Sequence, residues 1–84
     1  MKRIVLGIQI TNRLQSASSV QQLFSKYGCN IKTRLGLHDV NENVCSGTGL
    51  VLLDMFGNET EICTFETEMR KIDGIQVQKM VFEA

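Results

Sequence analysis

The chain has 84 residues, of which 43% are hydrophobic and 21% charged, and nine basic residues balance nine acidic ones. This length predicts a single domain over residues 1–84, with the composition of an ordinary globular protein. The neutral charge balance argues against direct binding to nucleic acid, and no apolar run is long enough to span a membrane. Three cysteines without an export signal predict a cytoplasmic protein with reduced thiols.

The first half of the chain predicts a strand, a helix and a second strand. Residues 3–10 alternate between apolar and other side chains, as in a half-buried strand. Asn12 with Gln15 three residues later fits a capping box, and the apolar positions that follow recur at threes and fours. Gly28 is placed to end this helix in the left-handed conformation. A second strand is predicted over residues 30–40.

The second half predicts the same order of elements after a polar hairpin loop at residues 41–47. Residues 48–56 (TGLVLLDMF) are apolar on both alternating sets, which is typical of a central strand covered on both faces. Asn58 and Glu61 repeat the capping box, and Gly74 is placed to end the second helix. Residues 75–82 alternate again and predict a fourth strand.

The two halves have matching signals. Asn12 and Gly28 are as far apart in the sequence as Asn58 and Gly74. The chain therefore predicts a doubled βαβ unit. Its α+β fold would be a ferredoxin-like βαββαβ sandwich, with a four-stranded antiparallel sheet and two helices on one face.

Such a sandwich leaves one face of the sheet without helices, and an apolar patch there indicates an interaction surface. The match between halves aligns Leu50 and Leu52 with the helix-facing positions of the first strand. We therefore predict a homodimer or higher homo-oligomer, formed by sheet packing or edge pairing. Alternatively, the register slips and the stems of Lys32 and Arg34 cover the patch. The predicted interface residues are Val5, Gly7, Gly36, Val51, Leu53 and Met55.

His38 and Cys45 flank the predicted hairpin loop, and their ligand atoms suit a transition metal. One subunit supplies too few ligands for a closed site, so a metal would be shared between subunits. The alternative is a histidine at the surface or in an interface. No other cofactor is indicated.

The turn formed by Thr11, Asn12 and Arg13 is the best candidate for an effector site. A helix N-terminus offers free N–H groups to an anion, and Arg13 adds positive charge. The alternative is a simple helix cap. The sequence shows no nucleophile with an activating base, so we expect no enzymatic activity.

Three segments carry a resemblance to a known family: IKTRLGLHD at residues 31–39, CSG followed by GLVLLD at residues 45–54, and GIQVQKMVF at residues 74–82. With them, essentially the whole chain resembles the iron-only hydrogenase system regulators of anaerobic bacteria, which belong with ACT-like domains. The resemblance implies a ferredoxin-like fold and a regulatory or accessory role in the iron-only hydrogenase system. It also implies a hydrogenase-maturation or regulatory protein as partner.

ACT domains typically bind amino acids or similar effectors at a dimer interface, near the first strand-to-helix turn. Here that turn lacks the glycine that is common in the family. The chain resembles more loosely the metal-binding C-terminal domain of nickel-responsive repressors, but has a single histidine and no DNA-binding element. Two alternatives to an effector-binding regulator therefore stay open: a metal-responsive module and a structural adaptor between proteins.

Overall fold

The computed structural model describes the backbone of residues 2–11, 13–40 and 45–83, and the side chains of residues 2–11, 16–37 and 49–83. Four antiparallel strands form one sheet in the order β2-β3-β1-β4. With two helices, this order confirms the predicted ferredoxin-like βαββαβ fold. The elements are β1 (Lys2–Ile10), α1 (Arg13–Lys26), a 3-10 turn (Gly28–Asn30), β2 (Ile31–Val40), β3 (Cys45–Met55), α2 (Glu59–Arg70) and β4 (Ile75–Glu83).

The hydrophobic core lies between the sheet and the two helices. Alternate residues of β1 point into it, and among them Leu6 and Ile8 are fully buried. The centre of the helix layer is Phe65, whose ring centroid lies 6.4 Å from that of Phe24 and 5.2 Å from that of Tyr27. These aromatic contacts join α1 to α2 above the sheet.

Asn58 caps the start of α2 as the sequence predicts, but the Glu61 side chain bonds to Asn30. The Asn58 side-chain oxygen accepts a hydrogen bond from the Thr60 N–H at 2.7 Å. The Glu61 carboxylate instead accepts one from the Asn30 amide at 2.9 Å. Asn30 also donates to the Phe56 carbonyl at 3.1 Å. Because Asn30 is buried, these bonds fix the start of β2 against the β3–α2 connection.

The two predicted helix-ending glycines differ in conformation. Gly74 has a φ of 78°, the left-handed conformation that the sequence predicts. Gly28 does not, because the described glycines with positive φ are Gly57 and Gly74. The prediction for Gly28 is therefore wrong. The chain continues right-handed into the 3-10 turn, where the Asn30 N–H donates to the Tyr27 carbonyl at 2.9 Å.

The prediction of which β3 side chains face away from the helices is also wrong. Leu53 and Met55 belong to the buried core, and Val51 packs against it from a half-buried position. The reason is the register: Leu6 pairs with Leu53, and directly paired residues of neighbouring strands lie on the same face. Val51, Leu53 and Met55 therefore face the helices.

The side chains of β2 switch between the two sheet faces at an irregularity near the start of the strand. The register with β3 shifts between Ile31 and Thr33, as at a β-bulge. Ile31 consequently packs against the core, while Leu35 pairs with Leu52 on the opposite face. Gly36 pairs with Val51 and so faces the helices, contrary to the prediction.

In the described part of the chain, neither helix has the length and apolar character that crossing a membrane requires.

Candidate functional site: the open face of the sheet

The sheet face opposite the helices carries a continuous apolar surface, which we call the open face. Four of its side chains are about half exposed, from 49% for Leu37 to 52% for Leu35 and Phe82. Three more are half-buried among neighbouring side chains. Large exposed side chains concentrated on one face are a mark of interaction surfaces. The apolar residues of the open face are Val5, Leu35, Leu37, Leu50, Leu52, Met80 and Phe82.

Gly7 lies at the centre of this face. It pairs with Leu52 on one side and with Gln78 on the other. A Cβ atom added to Gly7 would meet Leu52 Cδ2 at 3.6 Å and Leu50 Cδ1 at 4.0 Å. The glycine thus leaves a low point between larger neighbours. Val5 and Gly7 are the two predicted interface residues that lie on the open face, and their contact with another chain stays a prediction.

Polar side chains border the apolar surface at both ends. At one end, Arg3 and Asp54 form an ion pair with a nitrogen–oxygen distance of 3.1 Å. At the other end, Gln9, Gln76 and Gln78 border a shallow depression of about 370 Å³ above Gly7. An apolar centre with a polar margin is the usual composition of a protein–protein interface.

The open face could be found only in part from the sequence. The segment QVQKMVF places Gln76, Gln78, Met80 and Phe82 on one side of β4, which is a readable signal. The contribution of Leu35 depends on the register shift in β2. Arg34 faces the helices, with its guanidinium carbon 4.8 Å from the Phe24 ring centroid, so it does not cover the open face.

The predicted effector turn is described only at Thr11 and in the backbone at Arg13. The Thr11 N–H and hydroxyl both donate to the Gly74 carbonyl, at 2.9 and 2.7 Å. These bonds join the turn before α1 to the turn before β4. Asn12 and the Arg13 side chain lie outside the described residues, so effector binding at this turn stays a prediction.

The predicted metal ligands are close to one end of the β2–β3 ladder. His38 pairs with Gly49, and Cys45 pairs with Val40. The side chains of His38 and Cys45 lie outside the described residues, so the metal site stays a prediction. Within the described residues, no three histidine, cysteine or acidic side chains are grouped as metal ligands would be. Cys29 and Cys63 are exposed free thiols.

A separate cavity of about 210 Å³ lies on the helix side, between α1 and the strands β2 and β3. No sequence pattern described above predicts this cavity. Its signal is a pair of glycines, Gly36 and Gly49, at helix-facing positions of neighbouring strands. Without side chains at these positions, the space beside α1 stays unfilled. Arg34 and Gln21 bring polar groups to its wall.

Comparison with known proteins supports the fold. No protein-family model matches the chain, and no curated protein does. An uncharacterized protein from Thermotoga maritima has a similar structure, with a TM-score of 0.78 and 21% identity over 99% of this chain and 100% of its own. A dimeric ferredoxin-like protein from an uncultured marine organism has a TM-score of 0.53 and 7% identity, over 95% and 92% of the two chains. Similarity at these identities supports the ferredoxin-like fold and no specific activity.

Proposed function

We propose that the protein is a non-enzymatic regulatory or accessory domain whose copies assemble through the open face. The observation that carries this proposal is the apolar surface opposite the helices. Leu35, Leu37, Met80 and Phe82 each leave about half of their side-chain surface exposed in the single chain. Burying that surface against a second copy would provide the main driving force for association.

Two further observations support a second copy as the occupant. One of the similar structures belongs to a dimeric ferredoxin-like protein, and this chain shares its fold. In the described part of the open face, Arg3 and Asp54 are paired with each other in an ion pair. Charged residues are depleted at the centres of protein interfaces, so two such faces can pack together without burying unpaired charge.

The test is the oligomeric state of two neighbouring variants of β4. Met80→Lys introduces a charge on the open face, whereas Val81→Lys introduces it on the helix side of the same strand at similar exposure. We expect Met80→Lys to reduce the mass measured by sedimentation or light scattering to that of one chain. Val81→Lys should keep the wild-type mass.

A wild-type protein that is monomeric at all accessible concentrations would contradict assembly. An unchanged mass in a folded Met80→Lys variant would contradict the open face as its surface and indicate edge pairing or the helices instead. Circular dichroism of both variants serves as the control for folding.

We propose the iron-only hydrogenase system as the biological setting, in an anaerobic bacterium and in the cytoplasm. The support is the sequence resemblance of residues 31–39, 45–54 and 74–82, which covers most of β2, β3 and β4. Deleting the gene should change hydrogenase activity in cell extracts, and restoring it should reverse the change. Unaltered hydrogenase activity in the deletion strain would contradict this setting.

A further inference from the structure

The cavity on the helix side lies over two glycines on neighbouring strands. Its floor is the β2–β3 ladder at Gly36 and Gly49, and its other walls include Val20 and Phe24 of α1. A Cβ atom added to Gly36 would meet no atom within 4 Å, so the space above this residue is open. The α1 wall contributes apolar side chains, and the glycine floor exposes backbone beneath an opening to solvent.

The side chain of Arg34 brings a positive charge to the wall of this cavity. The Arg34 guanidinium lies over the Phe24 ring, with its central carbon 4.8 Å from the ring centroid. Arg34 forms no ion pair with the described residues. The basic side chains that do form ion pairs are Lys2, Arg3, Lys26, Arg70 and Lys79. Stacking on the ring fixes the guanidinium while leaving its N–H donors available.

The charge of the lining selects the kind of ligand. Among the described lining residues, Arg34 carries the only formal charge, and none has a carboxylate. A carboxylate ligand would gain charge-assisted hydrogen bonds from the guanidinium, and Gln21 offers an amide donor nearby. An ammonium group, as in a free amino acid, would have no acidic partner among the described lining residues and would lose hydration on entry.

The volume of the cavity limits the size of the ligand that it can hold. Pockets for drug-sized ligands are about 300–1,000 Å³, and this cavity holds about 210 Å³. A ligand with a short branched hydrocarbon body would fill it.

We propose that the cavity between α1 and the β2–β3 ladder binds a small monocarboxylate with a branched apolar body, held by Arg34 and accommodated by Gly36. The proposal gives the regulatory domain a class of effector, and it rests on the regulatory role in the proposed function. The cavity lies on the opposite side of the sheet from the open face. Loss of assembly and loss of ligand binding are therefore separate outcomes.

The test is an NMR titration of the ¹⁵N-labelled chain with three matched compounds. These are 4-methylpentanoate, its neutral amide 4-methylpentanamide, and leucine, which is 4-methylpentanoate with an added ammonium group. We expect saturable shifts of the Gly36 and Gly49 amide signals with 4-methylpentanoate. Binding of the amide and of leucine should be at least tenfold weaker, since one lacks the anion and the other adds an unpaired cation.

Two variants and one control assign the binding to residues. Arg34→Met keeps an apolar stem without the charge and should weaken 4-methylpentanoate binding at least tenfold. Gly36→Val fills the cavity and should abolish binding. Gly36 does not have positive φ, and valine favours strands, so this variant should fold. Lys32→Met removes a charge from the same strand outside the cavity and should leave affinity unchanged within twofold.

Three results would overturn the proposal: no saturable shift in the wild-type chain, equal binding of leucine or the amide, or unchanged binding by Arg34→Met. If Gly36→Val fails to fold, the Arg34→Met and Lys32→Met pair decides the outcome. Repeating the titration on Met80→Lys separates the two hypotheses, because a chain that no longer assembles should still bind the carboxylate.

Discussion

The two faces of the sheet are made by alternate residues of the same four strands, yet they differ in what completes them. On the helix side, Leu6 and Leu53 are fully buried in the core that also contains Phe65. On the open face, Leu52 stays half-buried and Leu35 about half exposed. Leu52 and Leu53 are neighbours in sequence and chemically identical. Their different environments show that the position of the helices, and not residue type, decides which face stabilises the single chain.

This comparison separates folding from assembly. Residues on the helix side contribute to the free energy of unfolding of one chain, because their contacts are all within it. Residues of the open face contribute mainly when a partner covers them. Substitutions on the two faces should therefore be distinguished by whether stability depends on protein concentration.

Truncation of Leu53 should destabilise the chain most. Leu53→Ala should lower the free energy of unfolding by about 2–5 kcal/mol, since it removes a fully buried side chain and leaves a cavity. Leu52→Ala should cost clearly less. Urea denaturation of both variants in the Met80→Lys background excludes the contribution of assembly. Equal losses at the two positions would show that the open face is packed within the single chain.

The polar residues Asn30 and Gln78 should differ in the same direction by a smaller amount. Asn30 is buried and donates to the Phe56 carbonyl and the Glu61 carboxylate, so Asn30→Ala should cost about 1–3 kcal/mol. Gln78 is exposed on the open face, so Gln78→Ala should change stability by less than about 0.5 kcal/mol. Thermal unfolding of both variants provides the measurement. A loss for Gln78→Ala as large as for Asn30→Ala would mean that the open face carries a structural hydrogen bond.

The smallest expected effect concerns the charges between α2 and the helix side of β4. Burial raises the pKa of the Glu66 carboxyl, but hydrogen bonds and charges from Arg70 and Lys79 outweigh burial and hold this pKa below its ordinary value of 4.5. Because the pKa is lower in the folded state, the stabilisation is present above pH 4.5 and is lost as the pH falls through the lowered folded value.

Glu66→Gln removes this titration. The difference in free energy of unfolding between wild type and Glu66→Gln, measured in urea, should therefore be largest near neutral pH and shrink in acid. A difference that stays constant with pH would contradict the role of the Glu66 ion pairs with Arg70 at 2.8 Å and Lys79 at 3.3 Å.

Much of the fold was predictable because its signals are local. The order of strands and helices follows from apolar periodicity. The cap at Asn58 and the left-handed Gly74 follow from residue types with special backbone roles, and both occur in the structure. Gly28 was not predictable in this way, because a right-handed 3-10 turn there depends on where the chain must enter β2.

The candidate site was less predictable, and the reason lies in particular residues. The cavity beside α1 requires Gly36 and Gly49 to share a face on neighbouring strands, which is a property of the register and of no single segment. The open face was predicted to exist, but four of its six predicted residues lie on the other side. Those four are Gly36, Val51, Leu53 and Met55.

Local residue patterns are enough to predict the βαββαβ order, the helix cap at Asn58 and an apolar sheet face without helices. Which side chains of β3 form that face depends on how the strands pair in space. Because residues 50–53 are all apolar, the alternation contains no polar position to mark the outside. A strand has a period of two residues, so a shift of one residue in the assumed alignment reverses every side chain. The pairing of Leu6 with Leu53 resolves this ambiguity for β3, and the register shift after Ile31 resolves the facing of β2.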